Sequence, residues 1–237
     1  MGKVAYQVVF RTIPELNLDE RESISALYLS YYDESSHEKV WADLKNKSEI
    51  LLLLTDNKIV GFTTYQLYDT LFKNRVVKII YSGDTIVHHE HWGQQKLGFA
   101  WIKRLGEFYK EFDHMPFYWF LIVKGHRTYR YLPAFSNTFY PHWEIDRSDL
   151  KALLDDLAKE KFQNSYDEKL GIIHYHTSQG QLKSDYADPT PREKEHPAVK
   201  FFLEKNPGYK EGDELVCLCE INDENFKPLT KRLINGA

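Results

Sequence analysis

Asp84-Thr85-Ile86-Val87, a polar loop, then Gln95-Lys96-Leu97-Gly98-Phe99-Ala100 and a helical pattern running to Phe112: this stretch reads as a strand feeding a helix whose first turn is stripped of bulk at Gly98 and Ala100. The first amides of a helix lack internal partners and sit at the positive end of its dipole, so such a turn suits a phosphate. A side chain at Gly98 would block backbone approach to an oxyanion, and Lys96 adds a cation. Leu97, Trp101, Leu105, Phe108 and Phe112 keep helical spacing for about four turns.

Outward from that stretch, Arg75 to Val87 predicts a long strand, with a bulge or close backbone approach at Ser82-Gly83. Upstream, Val4 to Thr12 predicts a first strand. Ile24, Leu27, Tyr28 and Tyr31 predict a helix capped at Asp19, and Val40, Trp41 and Leu44 a second helix capped at Ser35 or Ser36. Glu49 to Thr55 and Ile59 to Tyr68 flank the turn Asp56-Asn57-Lys58 as a hairpin. Downstream, the unbroken apolar run Phe117 to Val123 predicts a strand covered on both faces, and Arg127 to Phe135 a weak helix. Beyond Pro141, Leu150, Leu153, Leu154 and Leu157 mark a short helix, Gly171 to His176 a strand, and Glu214 to Ile221 the last strand. The polar, proline-bearing segment Ser178 to Pro197 reads as an ordered surface loop or a mobile flap.

Composition sets the outer bounds. The chain of 237 residues is 42% hydrophobic and 28% charged, ordinary globular usage that excludes disorder throughout. Its 16 Tyr and 14 Phe suggest a wide core or a ring-lined groove. With 31 Lys plus Arg against 35 Asp plus Glu, the net charge of −4 offers no global attraction to DNA or RNA, so no nucleic-acid partner is expected. The two cysteines, Cys217 and Cys219, fall on one face of a strand and are poorly placed to bridge each other, which fits a reducing, cytoplasmic setting. No signal-peptide core and no membrane-length apolar run is present, so no membrane partner is expected.

The order strand, two helices, strand, strand, long strand, helix, strand, helix resembles the GCN5-related N-acetyltransferase superfamily over roughly Val4 to Trp143. Its specific element is the Gln/Arg-x-x-Gly-x-Gly/Ala signature, met here by Gln95, Gly98 and Ala100. The resemblance implies an α/β fold with a mixed, mostly antiparallel sheet flanked by helices and splayed between its fourth and fifth strands. Residues 1–143 would form the acyl-coenzyme A-binding core, and 144–237 a C-terminal extension completing the sheet and the acceptor pocket within the same domain. By position, Gln95, Lys96, Leu97, Gly98, Phe99 and Ala100 would hold the pyrophosphate of acetyl-coenzyme A, and Ile86 and Val87 would pair with its pantetheine arm. The chain departs from the pattern at His89, where many members have proline. It departs again in the longer loop His88 to Gln94, and in Lys124-Gly125-His126-Arg127-Thr128-Tyr129-Arg130-Tyr131, where many have Asn, Ala and Tyr.

The resemblance implies direct acyl transfer to an amine, small or at a peptide end. That chemistry requires a base within hydrogen-bond reach of the amine proton and a donor for the departing thiolate. Asp84 is the first candidate base and Glu90 the second; Asp84 has the alternative of closing a bulge. Tyr131, or Tyr129, is the candidate donor, with packing between helix and sheet as the alternative. His88, His89, Glu90 and His91 invite a zinc reading, but adjacent residues on an extended segment point to opposite sides, so no metal is expected. Two rivals stand beside this reading: a non-catalytic acyl-coenzyme A sensor, and a transferase of longer acyl chains. Oligomeric state is not fixed by the sequence.

Overall fold

A computed structural model describes residues 4–236. Its centre is an eight-stranded sheet built from β1 (Gln7–Thr12), β2 (Glu49–Thr55), β3 (Lys58–Phe72), β4 (Arg75–Val87), β5 (Phe117–Val123), β6 (Tyr166–Asp167), β7 (Ile172–Ile173) and β8 (Glu214–Glu220), in the order β1-β2-β3-β4-β5-β8-β7-β6. All neighbours are antiparallel except β4 and β5, which run parallel. That pairing extends only from Lys78 opposite Phe117 to Ser82 opposite Leu121. Beyond Ser82 the two strands part, and the remaining residues of β4 have no strand beside them on that edge. The sheet is thus mixed, mostly antiparallel and flanked by helices, and it is splayed between its fourth and fifth strands.

Why these strands lie inside follows from their side chains. β5 is apolar throughout because both faces are covered: Phe117, Trp119, Leu121 and Val123 enter one core while Phe120 enters another. β8 alternates as its sequence predicts, with Leu215, Cys217 and Cys219 facing the first core and Val216 and Leu218 the second. The turn at Asp56 and Asn57 takes positive φ at both residues, the conformation of a tight hairpin, and Lys73 and Asn74 repeat it between β3 and β4.

Helices cover both faces. α1 (Leu18–Tyr31) and α2 (His37–Leu44) lie on one, with Ile24, Leu27, Tyr28, Tyr31, Val40 and Leu44 buried. The cap of α1 is Asn17, not Asp19: its side chain accepts from the Glu20 amide while Glu20 returns to the Asn17 amide, a reciprocal arrangement Asp19 lacks the register to make. Ser36 caps α2. α3 (Lys96–Glu111) covers the other face, followed by the short α4 (His126–Tyr129) and α5 (Tyr131–Phe135) after β5. α6 (Lys151–Phe162) buries Leu153, Leu154, Leu157 and Ala158 against the core of β4, β5 and β8.

The segment 178–197 is structured. It pairs Gln181–Leu182 with Tyr32–Asp33 as a two-stranded ribbon and adds α7 (Ser184–Ala187) and α8 (Pro191–Lys194). Two further helices, α9 (Pro197–Lys205) and α10 (Pro228–Asn235), end the chain. α10 packs against α3 so closely that a β-carbon on Gly106 would lie 2.5 Å from Ile234. Among the described residues, no helix is long and apolar enough to cross a membrane.

Candidate functional site

The parting of β4 from β5 opens a seam through the sheet, and a bulge decides what faces it. β4 pairs residue for residue with β3 up to Ser82 opposite Tyr65 and again from Thr85 opposite Thr63, with the register shifting between. Gly83 and Asp84 therefore stand against the single residue Thr64. Strict alternation would put Asp84 on the same face as Ser82, toward α3. The extra residue turns it instead toward α1 and α2, the face of Ile86, where it lines a cavity of about 470 Å³. The same extra residue that makes the bulge places the Asp84 carboxylate in the chamber.

This chamber is charged and ring-lined. Asp84 shares this chamber with Asp43 from α2. Lys47 bonds Asp43 at 2.9 Å, its side chain only 3% exposed. Its ammonium crosses directly over Gly83, where a β-carbon would lie 2.8 Å from it. Burial, then the Asp43 carboxylate, push the Asp84 carboxyl up to about 7, against the opposing pull of Lys47 and Lys124. Farther round the wall, Lys124 pairs with Glu214 at 3.2 Å, and the Tyr175 hydroxyl donates to Glu214 at 3.0 Å. Tyr28 and Tyr32 stack with centroids 4.5 Å apart, and burial raises both phenols above their usual range.

On the opposite face, Ser82, Thr85, Gly98, Trp101, Thr128 and Tyr131 enclose a recess of about 20 Å³. Thr85 and Thr128 border both spaces, so chamber and recess meet across the seam. Tyr131 is half-buried with its ring against Gly98: a β-carbon there would stand 3.0 Å from the ring edge. Burial raises its phenol. Tyr129, by contrast, is fully buried and donates to the Pro141 carbonyl at 2.8 Å, which commits its hydroxyl.

The remaining sequence candidates fall as follows. Leu97 and Gly98 are buried, Phe99 and Ala100 pack on the core, and Gln95 is the N-cap of α3. The amides of Lys96 and Leu97 point to the Gln94 carboxamide, whose Oε1 accepts from them at 2.7 and 3.3 Å. Ile86 is buried and Val87 half-buried, and the Val87 carbonyl accepts from the Trp92 indole at 2.8 Å. Glu90 stands on the rim with its side chain 72% exposed, outside the chamber lining.

Against expectation, the histidine-rich loop is not extended. Residues 89–91 form a 3-10 turn rather than an extended segment, and the ligand atoms of His88, Glu90 and His91 come within 4.8 Å of one another. The His91 Nδ1 already faces the Tyr6 hydroxyl at 3.0 Å.

Sequence reading missed Asp43, Lys47, Lys161, Lys124 and Glu214. For three of them a signal was present. Val40, Asp43, Leu44 and Lys47 follow i, i+3, i+4, i+7 spacing, as do Leu154, Leu157, Ala158 and Lys161, so each apolar helical stripe carries charge on its buried side.

No family model matches the chain, and no curated protein matches it in sequence. Among solved structures, it is similar to a conserved protein of Enterococcus faecalis V583 described as a probable N-acyltransferase, at 12% identity and TM-score 0.44, covering 68% of this chain. The chain spans 45% of that protein's length. It is also similar to an acyl-CoA N-acyltransferase of Pseudomonas aeruginosa (14% identity, TM-score 0.41, 55% of this chain and 88% of the other). A third is a GNAT family N-acetyltransferase of Escherichia coli in complex with CoA (14%, 0.39, 57% and 72%).

Proposed function

We propose that this chain moves an acetyl group from acetyl-coenzyme A to an amine by direct attack, within one ternary complex. The observation that carries the reading is the seam itself, with a carboxylate of near-neutral pKa on one face and a half-buried phenol on the other. Acetyl-coenzyme A, when bound, supplies the thioester. Its diphosphate suits the first-turn amides of Lys96 and Leu97, whose present partner is a side chain able to swing away, and its arm suits the unpaired edge of β4. Lys96 adds charge at that turn, and Gln95 through Ala100 form its backbone. The extension from residue 144 onward contributes Lys161, Tyr175 and Glu214 to the acceptor wall.

The chemistry then divides by face. An amine entering the chamber must lose a proton before or during attack, and Asp84 takes it. A carboxyl with its pKa near 7 is ionised often enough to accept a proton and basic enough to hold one. Asp43 and Lys47 set that value between them, the carboxylate raising it and the ammonium lowering it. As the carbon–sulfur bond breaks, Tyr131 gives its proton to the sulfur from the recess side. Glu90, outside the chamber, has no part in this scheme.

Thiol release from acetyl-coenzyme A, measured across a panel of amines, amino acids, aminoglycosides and peptides, tests the reading. Thiol release with at least one acceptor, lost in Asp84→Asn, supports it. Coenzyme A binding by calorimetry with no release from any acceptor would instead identify an acyl-coenzyme A sensor.

A further inference from the structure

Two lysines of the chamber have no carboxylate of their own. Lys47 is committed to Asp43 and Lys124 to Glu214. Lys161, in the last turn of α6, reaches over the Tyr81 ring with its nitrogen 4.2 Å from the centroid, and its hydrogen bond goes to the neutral Gln66 side chain at 3.1 Å. Lys39, at the entrance, donates to the backbone carbonyls of Glu34 and Ser178 at 3.0 and 2.9 Å. Among the described residues neither makes an ion pair. Burial, with Lys47 nearby, makes the charged form of Lys161 harder to hold. A cation half-withdrawn from water without a counter-charge is costly to keep there, and an anion on the incoming molecule would offset that cost.

Position adds a second constraint. Tyr81, Gly83 and Asp84 follow one another along β4, so Tyr81 and Asp84 are separated by about 10 Å at the strand's ~3.3 Å rise. Lys47 lies between them, over Gly83 and 5.0 Å from the Tyr81 centroid. The chamber thus has a proton-accepting end at Asp84 and a cationic end at Lys161, with a ring as the floor between.

We infer that the acceptor is an amine that also carries an anionic group, a carboxylate or a phosphate several bonds away, which Lys161 holds at the Tyr81 end while the amine lies at Asp84. This rests on the acyl-transfer reading and narrows its acceptor class. Lys161 acts as a specificity determinant, and Lys39 draws the same charge toward the entrance.

The test compares thiol release from acetyl-coenzyme A with glycine, 4-aminobutyrate and 6-aminohexanoate, with aminoalkyl phosphates, and with alkylamines of equal length. The expected result is a kcat/KM at least roughly tenfold higher for one anionic series than for its neutral counterparts, the value of one charge-assisted hydrogen bond. The carboxylate and phosphate series, set side by side, say which anion is meant. Lys161→Met should erase that preference by raising KM for the anionic acceptors while kcat changes by less than about twofold, and Lys161→Arg should restore most of it. Equal kcat/KM for neutral and anionic amines, or an equal loss for both in Lys161→Met, overturns the inference while leaving acyl transfer intact. If no amine releases thiol, acyl transfer fails. Calorimetric titration with 6-aminohexanoate and with 4-aminobutyl phosphate then decides the anion site: binding weakened by Lys161→Met supports it, and no binding, or binding unchanged in the variant, rejects it.

Discussion

Asp84 sits between opposed influences: withdrawal from water and Asp43 raise its pKa, and the two lysines Lys47 and Lys124 lower it. If it is the base, kcat/KM should climb with pH through about 7 as the carboxyl ionises. Asp84→Asn should lower kcat by roughly 10²–10⁴-fold, the usual contribution of a positioned base. Asp43→Asn should move the same limb to lower pH, because the neighbouring negative charge that resists ionisation is gone; a pH–rate profile measures both. The sign for stability is opposite to that for activity. Between about 4, where an unfolded Asp ionises, and about 7 the folded chain binds the extra proton, so stability falls as pH rises across that window. Asp84→Asn removes the fall and should melt at a higher temperature than the wild type at pH 8, read by calorimetry. Tyr131→Phe should lower turnover more than coenzyme A affinity. Gly98→Val should lower turnover too, because its side chain meets the Tyr131 ring; unchanged kinetics in both would remove Tyr131 from the scheme.

Among the elements, the bulge and the cover over the chamber matter most. Tyr186 of α7 lies 4.5 Å from the Tyr31 ring and 5.7 Å from His89, and Arg127 donates to the Tyr186 carbonyl at 2.7 Å. α8 is fixed by Glu193, which closes a capping box with Thr190 and faces His126, Arg127 and Arg130 at 3.5, 3.8 and 3.9 Å. Burial holds the His126 imidazole down at about 4, so at neutral pH it is uncharged and the two arginines provide the cation. Glu193→Ala should therefore loosen the cover, with faster limited proteolysis between residues 178 and 197 and little change elsewhere. Much of this scale was legible. β4 and β5 run as their patterns predict, because an unbroken apolar run and a long β-rich run admit few alternatives. α9 and α10 were not, since helices of nine and eight residues are marginal on their own and owe their existence to packing. Of the residues that line the chamber and the recess, the sequence singled out Asp84, Gly98 and Tyr131 because they lie in or near the signature stretch. Lys124 and Glu214 were not singled out, because the end of β5 and the start of β8 are brought together only in the folded chain, and Asp43 and Lys161 showed only as charges on apolar helical stripes.

For the whole molecule, the sheet is the divider. On the acyl-transfer reading, acceptor and thioester would approach from opposite faces and meet where Thr85 and Thr128 border both spaces. Neither need leave before the other arrives, so initial-rate plots at several fixed concentrations of the second substrate should intersect rather than run parallel, as parallel lines would signal a covalent relay through the protein. The Gln94 carboxamide already answers the Lys96 and Leu97 amides, and the Trp92 indole already answers the Val87 carbonyl. On the acyl-transfer reading those polar groups would exchange one companion for another as the diphosphate and its arm arrive, and the backbone that receives them is kept in shape by understudies that only have to step aside.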